Sequence, residues 1–349
     1  MLYELISTKP NECELRAYEE AAPGDEQLMV KVDFGSPKHG TELNHFRGTD
    51  PFITMDFDEE YQLFLKDESK TGGDFFMKPG NMWVGKIQQM GQGVSGFKIG
   101  QRIAGYGPLR NTHILHAKDA LIMPESMTWK EAVCYDPVQF ALGGLRDSKM
   151  RMGDTVAVFG LGAIGLIAAQ MARRAGAAFV AVIDPIARRR EVALKCGADM
   201  ALDPNECDVG LELKKATFKR GVDIAIESSG SYSALQAAMR GIIYAGNISV
   251  VGWYGECTGK LDFGKEAHFN QPNLIFSRAC SDPNRLHGWS FERICEASWD
   301  MLCKGDYACE DIVDPVVPFA EVASAYCEIN TSPELSVKLG VDFSEEVTL

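Results

Sequence analysis

From Asp154 onward the chain alternates short runs that are apolar throughout with longer segments rich in Ala, Leu, Ile and Met. Thr155 to Phe159 reads TVAVF, β-branched and apolar with no polar alternate. Such a run predicts a strand buried on both faces of a parallel sheet. The segment behind it predicts a helix closed by Gly176, since glycine readily takes the left-handed conformation that ends helices. A second strand is expected at Phe179 to Ile183. VDIAIESSG (Val222 to Gly230) and NISVVGWYG (Asn247 to Gly255) repeat the strand pattern, with the helical SALQAAMRGI between them. The whole stretch predicts α/β architecture; the chain before it is glycine-rich and strand-like, so a β-rich domain is expected there.

The first strand runs into Gly160, Gly162 and Gly165, which spell G-x-G-x-x-G. A strand before, a helix after and a second strand beyond turn a weak motif into a dinucleotide-binding fingerprint. The first glycine makes the turn, the second lets a pyrophosphate approach the backbone, and the third lets helix and strand pack. The helix N-terminus, with Ala163 and Ile164, offers free N–H groups to the phosphates. Asp184 ends the second strand, where an acid meets the adenosine ribose diol. That acid repels a 2′-phosphate and favours NAD, although Arg188, Arg189 and Arg190 follow; Arg189 is expected over the adenine. Ser228, Ser229, Gly230, Val251 and Gly252 end the later strands and are expected to line the nicotinamide half of the groove.

Length changes the picture to two domains, because 349 residues exceed what one core usually supports. Acidic residues outnumber basic ones by 49 to 35, a formal charge of -14 that disfavours a nucleic-acid partner. No stretch approaches the roughly 20 apolar residues of a membrane span, and the N-terminal MLYELISTKPNECELR has no signal-peptide core. The ten cysteines are scattered without a C-x-x-C pair, which reads as reduced thiols in a cytoplasmic protein.

With these motifs the chain resembles the medium-chain dehydrogenase/reductase superfamily, the alcohol and polyol dehydrogenases. KPGNMWVGKIQQMGQGVSGFKIGQRIAGYG (Lys78 to Gly107) is similar to the family's barrel segment, and WKEAVCYDPVQFALGGL (Trp129 to Leu145) to its linking helix. The tail from WSFERICEASWDMLCKGDY onward resembles the sugar and polyol branch. The resemblance implies a GroES-like β-rich catalytic domain over residues 1–136 and 280–349, a doubly wound Rossmann domain over 137–279, and a small alcohol or carbonyl substrate in the cleft between them. A homodimer or homotetramer is expected, paired through the sheet edge near NISVVGWYG.

The departures from the family carry information about chemistry. Where zinc-bearing members place a cysteine, a histidine and a later cysteine or acid, this sequence has His39, Asn81 and Asp136, and Met82 replaces the neighbouring carboxylate. A neutral amide is a poor zinc ligand, and the four-cysteine structural-zinc lobe is missing, so a zinc-free protein is expected. Thr41 matches the hydroxyl that begins the family's proton relay. His39 is then the expected acid/base, Asp136 its orienting partner and Asn81 a substrate hydrogen-bonding group. Filling the vacated metal position is the plain alternative for His39 and Asp136. His45 is a candidate outer relay or a surface residue, His113 and His116 read as structural, and Trp83, Trp253 and Tyr254 as pocket wall or core. The segment 50–76 is expected to border the substrate.

The expected function is NAD(H)-dependent oxidation or reduction of a secondary alcohol or ketone, a polyol, sugar or cyclitol, without zinc. An NADPH-dependent quinone or enone reductase, a non-catalytic nucleotide-binding protein of the same fold, and an enzyme that keeps zinc through His39 and Asp136 are the rivals.

Overall fold

A computed structural model of the chain describes residues 1–67, 70, 75–255, 259–281 and 288–345. The chain forms two compact units, Met1–Val133 with Val313–Leu349, and Cys134–Ile312.

In the first unit, β1 (Leu2–Lys9) pairs with β2 (Glu12–Tyr18), and β3 (Gln27–Ser36) runs into α1 (His39–Phe46). β4 (Met55–Asp58) and β5 (Leu63–Lys66) form a hairpin on which Phe57 meets the edge of Phe64. This hairpin holds most of the described part of segment 50–76; residues 68, 69 and 71–74 lie outside the described residues. β6 (Met82–Met90), β7 (Arg102–Tyr106), β8 (Thr112–His116), β9 (Leu121–Ile122) and α2 (Trp129–Ala132) complete this part.

The second unit opens with α3 (Tyr135–Asp147), β10 (Thr155–Phe159), α4 (Ala163–Arg174), β11 (Phe179–Ile183) and α5 (Ala187–Lys195). It continues through β12 (Met200–Leu202), α6 (Val209–Ala216), β13 (Val222–Glu227), α7 (Tyr232–Gly241) and β14 (Ile242–Val250). It ends with α8 (His268–Asn270), β15 (Asn273–Phe276) and α9 (Phe291–Cys303). The chain then returns to the first unit as β16 (Val313–Pro318), α10 (Val322–Thr331) and β17 (Lys338–Asp342).

The sheet of the first unit has the order β16-β17-β3-β6-β7-β9, with β8 also on β3. Leu28, Val30, Trp83, Ile103, Leu339 and Val341 from its strands pack with Phe46 of α1 and Tyr326 of α10. Each fully buried aliphatic side chain contributes about 2 kcal/mol of transfer free energy, so the late strand β17 is held by the same core as the early ones.

The second sheet is parallel, in the order β12-β11-β10-β13-β14-β15. The winding reverses between β10 and β13, and in such sheets a crevice opens beyond the carboxyl ends at that point. β10 and β11 are buried from their second residue on, as continuous apolar runs require of strands covered on both faces. α4 ends at Arg174, and Gly176 takes φ +91° just beyond.

Two expectations differ from the structure. β14 starts at Ile242, and β15 lies outside it, so NISVV is one strand in from the sheet edge. α9, placed by sequence in the β-rich domain, belongs to the second unit. Its Trp299 meets Tyr135 of α3 edge-on at 5.4 Å, and the Tyr135 hydroxyl donates to the Cys295 carbonyl at 3.2 Å.

Candidate functional site

In the second unit the glycine turn has the geometry its spacing predicts. Gly160 takes φ +83°, and a Cβ there would lie 2.6 Å from Ser229. Gly162 caps α4 without a side-chain hydrogen bond and has nothing within 4 Å of where a Cβ would point. A Cβ on Gly165 would overlap the Gly160 carbonyl oxygen. Close packing at the first and third glycines and open space at the second form a cradle for a diphosphate. Ala163 and Ile164 in the first turn are partly exposed. The residues present therefore fit a dinucleotide.

Asp184 is 3% exposed. Its Oδ2 accepts from the Leu161 N–H at 2.7 Å and its Oδ1 from the Ile186 N–H at 2.8 Å, so the acid also fixes the glycine turn. The sequence pattern did not show this second role. Arg190 donates to the Asp184 carbonyl at 2.6 Å and pairs with Asp203 at 2.9 Å, which ties it away from a ligand. An Arg189 nitrogen lies 3.9 Å from Asp184 Oδ2, and burial lowers the pKa of this guanidinium.

Across the switch point, the Ser228 hydroxyl donates to the Gly160 carbonyl at 2.8 Å and closes the crevice floor. Ser229 and Gly230 follow, and Val251 and Gly252 hydrogen-bond to the Glu227 carbonyl at 2.8 and 2.9 Å. Glu227, absent from the sequence-based set, lies at the centre of these loops.

In the first unit, His39 opens α1, and its Nε2 accepts from the Leu339 N–H of β17 at 3.2 Å. That bond places the proton of a neutral ring on Nδ1. Thr41 is exposed on the first turn. Asn81 precedes β6, and its Oδ1 is buried with no hydrogen-bond partner among the described residues. Such an orphaned acceptor is unusual in a folded protein and points to a donor from a ligand.

One unforeseen residue joins these loops. Glu42 Oε1 accepts from the Lys38 N–H at 2.9 Å, and its Oε2 from the Gly80 N–H at 3.2 Å and the Tyr326 hydroxyl at 3.0 Å. Burial raises its pKa to about 7 against these hydrogen bonds and the nearby charge of Lys338. Lys338, itself 5% exposed, donates to the Pro37 carbonyl at 2.8 Å. Sequence gave no signal for this cluster, because Tyr326 lies 284 residues from Glu42.

Asp136 stands in the first turn of α3 in the second unit, 5% exposed, where the helix dipole favours a carboxylate. His45 pairs with Asp50 at 3.1 Å. His113 stacks on Trp83 at 4.8 Å, and burial pushes its pKa down to about 3, so both are core. The nine described cysteines are free thiols; Cys257 lies outside the described residues. No described helix is long and apolar enough to cross a membrane.

Zinc fits the family positions poorly. His39 Nε2 is engaged by Leu339, and Asn81 is a neutral amide. Among the described residues no three His, Cys, Asp or Glu side chains gather as metal ligands do.

Residues 163–287 match the family model described as zinc-binding dehydrogenase. D-guloside 3-dehydrogenase of Escherichia coli is 44% identical over 348 residues, covering 97% of this chain and 99% of that relative. Sorbitol dehydrogenase of Bacillus subtilis is 28% identical over 204 residues, 50% of this chain and 58% of that one. Among solved structures, 2R,3R-butanediol dehydrogenase from Bacillus subtilis superposes with a TM-score of 0.76 at 19% identity, over 98% of this chain and 99% of that one. With near-complete coverage at this identity, a nucleotide cradle and the two-unit α/β fold of GroES-like and Rossmann type, the chain belongs to the medium-chain dehydrogenase/reductase superfamily, among the alcohol and polyol oxidoreductases.

Proposed function

We propose that the chain is an NAD(H)-dependent dehydrogenase that interconverts a secondary ring alcohol of a sugar or glycoside and its ketone, without catalytic zinc. The observation that carries the nucleotide is the cradle at Gly160, Gly162 and Gly165 with the buried carboxylate of Asp184 beside it. The substrate class rests on the 44% identity to D-guloside 3-dehydrogenase. An acid fixed at the end of the second strand favours a ribose diol over a 2′-phosphate.

When bound, a nicotinamide dinucleotide supplies the hydride acceptor or donor. The chain's own residues handle the oxygen. His39, its ring oriented by the Leu339 N–H, is the group that hydrogen-bonds the substrate oxygen and stabilises the negative charge that grows there. Protonating the ring further would set an Nε2–H against the Leu339 N–H, which opposes service as a general base. The alcohol proton leaves through Thr41, on the exposed face of α1, toward water. Asn81 Oδ1 accepts from a second hydroxyl.

Absorbance at the reduced-nicotinamide band, with a panel of glycosides, tests this. NAD reduction at least about tenfold faster than NADP reduction is expected. Turnover with NADPH and quinones instead, or nucleotide binding without turnover of any alcohol, would replace the reading. Exhaustive chelation is expected to leave activity unchanged; stoichiometric zinc surviving dialysis with activity that follows it would overturn the zinc-free part. His39→Ala is expected to lower kcat/KM about 100-fold at unchanged nucleotide affinity, and an unaltered rate sinks the role given to His39.

A further inference from the structure

Beyond the last paired residues Glu227 and Val250, strands β13 and β14 diverge into two loops, Ser228–Gly230 and Val251–Gly255. At their root the loops share two backbone bonds, from the Val251 and Gly252 N–H groups to the Glu227 carbonyl. They also approach backbone to backbone: a Cβ on Gly252 would overlap the Gly230 nitrogen, and one on Gly230, at φ +68°, would lie 2.8 Å from the Trp253 carbonyl.

A single side chain adds a tie farther out. Glu227 is fully buried, and its carboxylate faces four donors. Oε1 accepts from the Ser229 N–H at 2.8 Å and from the Ser229 hydroxyl. Oε2 accepts from the Gly230 N–H at 3.3 Å and from the Tyr254 hydroxyl at 2.6 Å. The Tyr254 ring meets Tyr232, the first residue of α7, edge-on at 4.9 Å. Resting on the functional reading above, we propose that Glu227 is a positioning residue for the nicotinamide half of the groove, with Tyr254 as its latch, and that together they set the spacing of the loops a nicotinamide ring would touch.

A buried carboxylate is costly, and an apolar side chain would fill the same volume without that cost. Four convergent donors explain why an acid stands here: an amide would turn its own N–H toward one of them. Burial raises the acid's pKa while all four hydrogen bonds lower it. The carboxylate thus gathers donors from both loops, beyond the two backbone bonds at their root, and couples the position of one loop to the other.

Tyr254→Phe removes one bond at a partly exposed ring and should fold normally. NADH titration by calorimetry is expected to show its dissociation constant raised about tenfold, the worth of one hydrogen bond to a charged acceptor, with the KM for NAD rising in step. The KM for the alcohol should change less than about twofold. Glu227→Gln should weaken nucleotide further in the same direction; if it fails to fold, Tyr254→Phe decides alone. Wild-type protein that binds NADH while Tyr254→Phe binds it equally well overturns the latch and leaves the functional reading intact. Equal loss of nucleotide and alcohol affinity also overturns it, as the mark of a merely structural tyrosine. Wild-type protein that binds neither NADH nor NADPH overturns both.

Discussion

Gly165→Ala is expected to abolish NADH binding, weakening it by more than about 100-fold in a calorimetric titration, while far-ultraviolet circular dichroism stays close to wild type. The added methyl would overlap the Gly160 carbonyl oxygen and lie 2.9 Å from the Ser228 hydroxyl, neither of which can yield cheaply. Gly160 is pinned by its N–H to the Ile183 carbonyl at 2.9 Å, and Ser228 by its bonds to the Phe159 and Gly160 carbonyls. Relief comes only by moving the start of α4 away from β10. That movement carries the first-turn N–H groups out of register with a diphosphate, and overpacking costs about 1–3 kcal/mol in stability besides. Gly162→Ala separates the two effects. Its Cβ meets nothing within 4 Å, so stability should change by less than about 1 kcal/mol, yet the methyl stands where the diphosphate must approach. Full NADH affinity in both variants would remove the cradle from the nucleotide site.

Glu42→Gln is expected to change how stability depends on pH. Folding raises the Glu42 pKa from 4.5 to about 7, chiefly by burial. The folded chain thus holds a proton that the unfolded chain releases between pH 4.5 and 7, and stability falls as pH rises through that window. The loss is up to about 3 kcal/mol, complete above pH 7.5 or so. Urea midpoints measured from pH 5 to 8 should show this fall in wild type and a flatter line in Glu42→Gln. Parallel curves would mean that Glu42 titrates normally. The substitution also turns an amide N–H toward the Lys38, Gly80 and Tyr326 donors, so kcat/KM is expected to drop about tenfold as the His39 and Asn81 loops loosen.

The α/β unit was the most legible part of the sequence, because its strands are continuous apolar runs and its glycine spacing reflects local sterics. β15 escaped notice: four residues, NLIF, are too few to show a period. α9 was assigned to the wrong side of the division by its resemblance to a family tail, whereas its packing on α3 decides where it belongs. The candidate positions His39, Thr41 and Asn81 could be named from motif alignment. Glu42, Lys338 and Glu227 could not, and for Tyr254 the sequence offers only pocket wall or core, because each acts through hydrogen bonds to loops that only the folded chain brings together. A periodicity argument sees which face a residue occupies, and it is blind to an acceptor that gathers donors from three elements.

The bond from Leu339 to His39 has a consequence for biosynthesis. Ser36 and Leu339, also hydrogen-bonded, stand 303 residues apart, with the whole second unit between them in the chain. During translation the second unit can close as soon as it emerges, and β8 covers the first half of β3, whereas Phe34 and Gly35 at its end wait for β17. The His39 loop is therefore among the last parts to be set. A chain that ends before β17 would leave His39 without its Leu339 anchor and the end of β3 unpaired, a short strand edge open to chaperones and proteases.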